Sequence, residues 1–327
     1  MAARLRALSP LDARTAWVAG ADGVVLCTTD GGESWRPAGP PGATDLRFRS
    51  VVALDARTVV LLSFGTDPPA RVLRTDDAGA HWQEVFRDDG TRFFDCLTLG
   101  DDGFGLALAD PVRGRFALLA TTDAGRTWTG LEPDEMPPAL PGETAFAASG
   151  TCLVGGSGHY WFTTGGGNRA RVFHTADAGR HWKVADTPIP AAKDAGLFAL
   201  AFRDANHAIA VGGDYHDQNS PTRALASTSD GGRTWVAPGA TLPGYRSGTT
   251  WTGSEYVAVG PNGADVSRDD GATWTPINAA GYDVVRTAPD GTCWAAGLDG
   301  RVARLAVSPP QPRPAAVPRP GPASARR

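Results

Sequence analysis

Three carboxylates are the residues in this sequence that could perform acid–base chemistry. Asp95, Asp110 and Glu143 each lie next to an apolar stretch, in FFDCLTL, ALADPV and GETAFAA. Two such groups on either side of a sugar can hydrolyse a glycosidic bond, and the distance between them sets the mechanism. Because the sequence does not contain that distance, glycoside hydrolysis is kept as an alternative function.

Two histidines raise the question of a metal site. His159 and His216 fall in segments rich in glycine and polar residues, and Asp214 is close to the second of them. Two imidazoles and one carboxylate can hold a transition metal, but exposed loop histidines are the simpler interpretation. The sequence also lacks GxSxG, GxGxxG and a Walker loop. We therefore predict no metal and no cofactor, and favour a non-catalytic protein while leaving catalysis open.

A repeated motif accounts for many of the other aspartates. It begins as TTDGGESW at residues 28–35, and Ser or Thr, Asp, Gly and Trp return at the same spacing five more times. The returns are TDDAGAHW, TTDAGRTW, TADAGRHW, TSDGGRTW and SRDDGATW. The hydroxyl and the carboxylate can bond to turn backbone, glycine tolerates a positive φ, and tryptophan covers the turn. Six copies of this motif, which we call the box, indicate a repeated hairpin turn and not six catalytic or calcium sites.

The boxes predict the fold. They recur every 39 to 54 residues, near the length of a four-stranded propeller blade. Three apolar strands precede each box and one follows it, and a seventh unit without a box ends the series. We predict an all-β, seven-bladed propeller of four-stranded antiparallel blades over residues 1–308. The Pro-, Ala- and Arg-rich segment 309–327 is predicted to be a disordered tail.

Ring closure and the cysteines are less constrained by the sequence. The outer strand that the seventh unit lacks would normally come from the other terminus, but Met1–Arg4 is barely long enough to supply it. The four cysteines have no metal spacing, and whether any two are bonded stays open.

Composition narrows the class of partner. The net charge of −4 is spread along the chain without a basic stripe, which argues against nucleic acid. No apolar run is long enough to span a bilayer, and the N-terminus has no signal-peptide core. We expect a monomer, cytoplasmic by default, or secreted or periplasmic if a signal segment lies upstream of Met1.

Loop lengths predict which face binds a partner. In an up-and-down blade the boxes lie on one face, and the connections from strand 2 to strand 3 and from strand 4 to the next blade lie on the other. On that second face the predicted loops of blades 2–5 are long, polar and aromatic, whereas those of blades 1, 6 and 7 are minimal. Predicted site residues are Arg49, Asp95, Asp110, Glu143, Trp161, Asp214, Tyr215, Tyr245 and Arg246.

This set of residues combines charge with stacking surfaces. Arginines beside aromatic rings suit a carboxylate-bearing peptide or a sugar. A wet channel mouth is also polar in proteins that bind nothing there, so the charges could simply pair with one another. We expect substitution of Arg246 or Trp161 to weaken binding while leaving stability nearly unchanged.

The boxes, the seven units and the segments FFDC, DPVRGRF, GETAFAASG, AVGGDY and YRSG together resemble a known family. Over about residues 4–306 the chain is similar to the Asp-box (BNR-repeat) propellers of the photosystem II stability/assembly factor type, in their bacterial branch. The resemblance implies a noncatalytic, chaperone-like factor that holds a membrane-protein precursor with an arginine-bearing surface. Arg49 and Arg246 occupy comparable rim positions.

Bacterial relatives of this type are often labelled oxidoreductase or glycosyl hydrolase. No cofactor motif supports the first label, which is the weakest alternative. The second rests on sialidases, which share the boxes, but this chain lacks their Arg-Ile-Pro segment and has seven units instead of six. We therefore predict a protein- or peptide-binding assembly scaffold, with a sialidase-like or other glycoside hydrolase as the alternative.

Overall fold

Seven antiparallel sheets follow one another along the chain in a computed structural model that describes residues 3–307. The first three blades contain β1 (Leu5–Pro10), β2 (Ala16–Gly20), β3 (Val25–Thr28), β4 (Arg36–Pro37), β5 (Phe48–Ala53), β6 (Val59–Ser63), β7 (Arg71–Thr75), β8 (Gln83–Arg87), β9 (Phe94–Leu99), β10 (Gly105–Val112), β11 (Arg115–Thr121) and β12 (Thr129–Leu131). The fourth and fifth contain β13 (Leu153–Gly156), β14 (His159–Thr163), β15 (Arg169–Thr175), β16 (Trp182–Pro190), β17 (Ala195–Phe202), β18 (Ala208–Asp214) and β19 (Leu225–Thr228). The last two contain β20 (Gly248–Trp251), β21 (Tyr256–Gly260), β22 (Gly263–Ser267), β23 (Thr275–Asn278), β24 (Val284–Thr287), β25 (Cys293–Ala296) and β26 (Val302–Arg304).

The first strand of each blade is innermost, and these strands close a ring. β1 contacts β5 on one side and β24 on the other, so the first blade meets the last. The second strands β6 and β21 are buried over their full length because neighbouring blades cover both of their faces. This architecture confirms the predicted all-β propeller with seven blades.

Blades 5 and 7 have three strands each among residues 3–307. In blade 5 a single bridge between Ser227 and Val236 stands where a fourth strand would lie. In blade 7 residues 3–10 do not form the outer strand. The Leu5 amide donates to Gly297 O at 2.9 Å, and the Gly300 amide donates to Ala3 O at 2.8 Å, both on the turn after β25. Residues 308–327, with the predicted tail, lie outside the described residues.

The boxes form one turn six times. In the first box Thr28 Oγ1 donates to Asp30 Oδ1 at 2.7 Å, and the Gly32 amide donates to Thr28 Oγ1 at 3.0 Å. The Ser34 amide donates to Asp30 Oδ1 at 3.0 Å. The same three bonds recur in the other five boxes, and the box glycines have φ of +80° to +89°. Each aspartate is therefore occupied by its own turn, as the sequence predicts.

Blade 4 differs from the sequence-based assignment. The segment TCLVGG was expected to be its second strand and HYWFTT part of a long loop, but β13 is the first strand and β14 the second. Ser157 and Gly158 have φ of +52° and +83°, the conformation of a two-residue hairpin turn. The connection from strand 2 to strand 3 is therefore only residues 164–168.

The segment expected to be the first strand of blade 4, TAFAASG, leaves the sheet. Thr144 bridges Gly165, and pairing resumes at Leu153 opposite Phe162. Residues 145–151 between these two points are in no strand of the sheet. We call them the plug.

The plug crosses the channel. Ser149 Oγ donates to Ser247 O of blade 6 at 2.7 Å, and Arg286 Nη2 of blade 7 donates to Gly150 O at 2.9 Å. A Cβ on Gly150 would lie 2.7 Å from Arg49 O of blade 2, so only glycine fits there. The plug therefore begins in blade 4 and contacts blades 2, 6 and 7 across the ring. It separates the two mouths of the channel.

A disulfide fixes one end of the plug. Cys96 of β9 is bonded to Cys152, the residue that follows the plug. Cys27 and Cys293 are buried free thiols. The bond therefore joins blades 3 and 4 at the channel, a pairing that the sequence left open.

Candidate binding site at the channel mouth

A pocket of about 300 Å³ lies at the channel mouth on the face opposite the boxes. Its walls are the starts of innermost strands, the connections between blades and the plug. We call it the arginine pocket. Five of the nine predicted site residues line it, and they are Arg49, Asp95, Asp110, Tyr215 and Tyr245.

Three arginines form one side of the arginine pocket. Arg4 donates to both carboxylate oxygens of Asp283, from Nε at 2.8 Å and from Nη2 at 2.6 Å. Arg6 Nε lies 3.9 Å from the same carboxylate. The Nε atoms of Arg6 and Arg49 are buried and have no hydrogen-bond partner among residues 3–307. Within residues 3–307, Asp283 is the one carboxylate that is ion-paired to this group, and Asp194, which also lines the pocket, lies 3.2 Å from His216 Nε2 instead. The three guanidinium groups therefore outnumber the carboxylate that pairs with them.

The pKa of Arg49 is strongly lowered. Burial, together with the neighbouring charge of Arg6, lowers the pKa of Arg49 to about 9. Its guanidinium carbon lies 4.1 Å from the centre of the Phe64 ring. Arg49 is partly buried, its buried Nε has no hydrogen-bond partner among residues 3–307, and an aromatic face lies beside it, so an incoming anion would stabilise it.

Aromatic rings line the rest of the pocket. Phe146 of the plug stacks on Phe198 with ring centres 3.9 Å apart. Tyr245 meets Phe198 edge to face at 4.8 Å, and Tyr215 meets Tyr245 at 6.2 Å. The Arg6 guanidinium lowers the pKa of the Tyr215 hydroxyl, whereas burial raises that of Tyr245. The pocket therefore offers an apolar wall facing a cationic one.

Asp95 lies at the base of this pocket. The side chain is fully buried, and neither carboxyl oxygen has a hydrogen-bond partner within the described chain. Burial and the nearby Asp110 raise the pKa of Asp95 well above its ordinary value. Asp110 accepts a bond from the Ala145 amide at 3.1 Å and another from the Thr144 hydroxyl.

Two predicted site residues form internal ion pairs and do not line the arginine pocket. Glu143 accepts from Arg171 Nε at 2.8 Å and from Thr164 Oγ1 at 2.7 Å. Arg246 is 1% exposed and donates from Nε to Asp265 at 2.8 Å. These side chains therefore hold the walls together, and the expectation that Arg246 is a surface residue is wrong.

The remaining two lie apart from the pocket. Trp161 is on β14, near the box face, and its indole Nε1 donates to Gly231 O at 3.0 Å. The predicted long loop would put Trp161 on the opposite face, but the hairpin turn at Ser157–Gly158 puts it in a strand. Asp214 is exposed and accepts the amide of His216 at 2.8 Å within its own turn.

Several pocket residues were missed by the sequence analysis. Arg4 and Arg6 bracket Leu5 at the start of β1, a spacing that places both side chains on one face of a strand. This spacing is visible in the sequence, but the sequence analysis predicted only an apolar strand there. Phe146 was assigned to a strand and not to the plug, so no sequence pattern indicated its place in the pocket.

No family model and no curated protein matches the chain. Solved structures do. A structure described as YCF48 bound to D1 peptide is 18% identical, with a TM-score of 0.62 and coverage of 94% of both chains. YCF48 from Cyanidioschyzon merolae is 15% identical, with a TM-score of 0.60, 93% of this chain and 95% of that chain covered.

A third likeness is to the WD40 propeller domain of Doa1, with 11% identity, a TM-score of 0.57, and coverage of 94% of this chain and 93% of that one. At these identities the comparisons show the fold. They agree with the architecture that the photosystem II assembly-factor resemblance implies, and membership of the Asp-box family stays a prediction.

Two structural features bear on the predicted partners. Across residues 3–307 no helix is long and apolar enough to cross a membrane. In the same span no three His, Cys, Asp or Glu side chains are grouped to hold a metal. His159 and His216 therefore do not meet Asp214 as a metal triad.

Proposed function

We propose that the protein is a scaffold that binds a carboxylate-bearing segment of a partner protein in the arginine pocket. One observation carries this proposal: Arg4 and Arg6 are both ion-paired with the carboxylate of Asp283, Arg49 beside them has no ion pair, and the buried Nε atoms of Arg6 and Arg49 have no partner in residues 3–307. A carboxylate would supply the missing acceptor and charge.

The aromatic wall gives the ligand a second requirement. Phe146, Phe198 and Tyr215 offer apolar surface within one small pocket. We infer that the bound segment places an acidic group beside an apolar or aromatic side chain. The likeness to YCF48, whose structure holds a D1 peptide, supports a peptide as the ligand class.

Titration with a set of peptides tests the proposal. Acidic-aromatic peptides and their Asp-to-Asn counterparts would be titrated by fluorescence polarisation against wild type, Arg49→Met and, as a surface control, Arg169→Met. We expect the acidic peptides to bind at least about tenfold more tightly than the amides, and Arg49→Met to remove that preference. Binding that ignores both the acid and Arg49 would contradict the proposal.

Glycoside hydrolysis is the alternative. The carboxyls considered for it are buried or already bonded: Asp95 is fully buried, Glu143 is paired with Arg171, and Asp110 is bonded to Thr144. Assay of the wild-type protein with fluorogenic glycosides, sialosides included, separates the two functions. Turnover that disappears in Asp110→Asn would favour the enzyme.

A further inference from the structure

A second and larger cavity opens on the box face. Its volume is about 630 Å³, within the size range of small-molecule sites. The turn before β14, the turn between β17 and β18 and the box of blade 5 form its mouth. It shares no lining residue with the arginine pocket, and the plug lies between the two. We call this cavity the box-face pocket.

Arg286 lies at the floor of the box-face pocket. It reaches from β24 across the channel, and Nη2 donates to Gly150 O at 2.9 Å. Within residues 3–307 its Nε and Nη1 atoms make no hydrogen bond, and no carboxylate forms an ion pair with it. Burial alone lowers the pKa of Arg286 to about 10, so the group remains a cation at neutral pH without a counter-ion. Arg286 is partly buried, and a partly buried cation without a counter-ion is stabilised when an anion joins it.

The walls above Arg286 are mostly apolar. Val154 of β13 and Leu200 and Phe202 of β17 contribute these side chains. Trp161 is held between His174 at 4.5 Å and Phe202 at 4.3 Å, which fixes the ring stack as one rigid wall. Burial lowers the pKa of His174 to about 4, so this imidazole is neutral at pH 7 and adds no charge.

The mouth of the pocket limits the charge of a ligand. Asp204 and Asp230 stand there with Arg233. The two carboxylates oppose a second negative charge, and one guanidinium at the floor matches a single carboxylate. The lining therefore favours a monoanion over a phosphate dianion.

We propose that the box-face pocket is a second ligand site, which binds a small monocarboxylic acid with an aromatic or apolar body. The carboxylate meets Arg286, and the body lies against Leu200, Phe202 and the ring stack. This site is independent of the scaffold function proposed for the opposite face.

Fluorine NMR with 4-fluorobenzoate and the uncharged 4-fluorobenzamide tests the site. Both probes would be titrated into wild type, Arg286→Met and Arg49→Met, since the last variant disables the arginine pocket and leaves the box-face pocket intact. In wild type and in Arg49→Met we expect the benzoate to bind at least about tenfold more tightly than the benzamide. Arg286→Met should abolish that difference. Its melting temperature should not fall far, because the variant removes an unpaired buried charge.

Three results would overturn the proposal: no benzoate binding at millimolar concentration, equal binding of benzamide, or a preference that survives in Arg286→Met. A preference lost only in Arg49→Met would place the acid in the arginine pocket instead, against this inference and in favour of the other. If Arg286→Met does not fold, titration of the Arg49→Met protein with the two probes still decides whether a charged site exists on the box face. Arg286→Lys is a second test, because it removes the planar fork of the guanidinium and should weaken benzoate binding.

Discussion

The arginines near the channel fall into two groups, those that are ion-paired with a carboxylate and those that are not. Arg171 and Arg246 are buried and ion-paired with Glu143 and Asp265. Burial lowers the pKa of Arg49 and of Arg286, and neither has an ion pair in the part of the chain that the structure describes. The first pair stabilises the fold, and the second pair marks the two proposed sites.

Arg246 should therefore be structural. Arg246→Met leaves the Asp265 carboxylate buried without its partner, so we expect a loss of about 3–5 kcal/mol in the free energy of unfolding. Arg169→Met is the control because Arg169 and Asp186 are 50% and 55% exposed, and it should cost less than about 1 kcal/mol. Urea denaturation measures both, and equal losses would refute the distinction.

Asp95 should make stability depend on pH. Its folded pKa is raised above the unfolded value of about 3.9, so the folded state retains the proton over a range where the unfolded chain releases it. Stability from this group is therefore fully present below about pH 4 and falls as pH rises toward the folded pKa.

Asp95→Asn tests this pH dependence, because it removes the titrating proton and keeps the shape of the side chain. Unfolding free energies measured from pH 4 to pH 8 should fall less steeply with pH in the variant than in wild type. Parallel pH profiles would show that Asp95 ionises normally in the folded protein.

At the level of elements, the box turn depends on its glycine. Gly125 has φ of +80°, and a Cβ there would lie 2.9 Å from Val60 Cγ2 of the neighbouring blade. Gly125→Ala should destabilise the protein by about 1 kcal/mol or more, because both the backbone and the contact oppose a methyl group. Gly130 in β12 is the matched control, since nothing lies within 4 Å of its Cβ position.

Thermal melts compare these two alanine variants. We expect the melting temperature of Gly125→Ala to fall and that of Gly130→Ala to stay level or rise, as a strand gains from losing a glycine. A fall of the same size in both would mean that the turn tolerates an L-residue.

Across the molecule, the ring is closed by the first and last blades. Arg4 bonds to Asp283, and β1 packs beside β24. A chain that starts after Pro10 loses the innermost strand of blade 1, so it should fail to give a monomeric, cooperatively melting protein. A chain that ends at residue 308 removes only the predicted tail, and we expect an unchanged melting temperature. Size-exclusion chromatography and melts of both truncations check this, and a destabilised 1–308 chain would contradict the predicted domain boundary.

The sequence by itself determined the repeated parts of this protein. Each box makes its bonds within eight residues, from Thr28 to Trp35 in the first copy, so its residue types suffice to predict the turn. The number of units and the apolar strands between boxes then predict seven blades. Arg49, Asp95, Tyr215 and Tyr245 were placed correctly at one channel mouth because antiparallel strands alternate between two faces.

Tertiary structure alone decided what those residues do. Arg4 and Asp283 are 279 positions apart, and Ser149 and Ser247 are 98 apart, so no local pattern indicates that they bond. The plug has the composition of an inner strand but leaves the sheet, and the Ser149 hydroxyl and Gly150 O bond across the channel. Whether Arg246 is paired and Arg286 unpaired depends likewise on which carboxylates the closed ring brings within reach, and burial then fixes the cost of each charge.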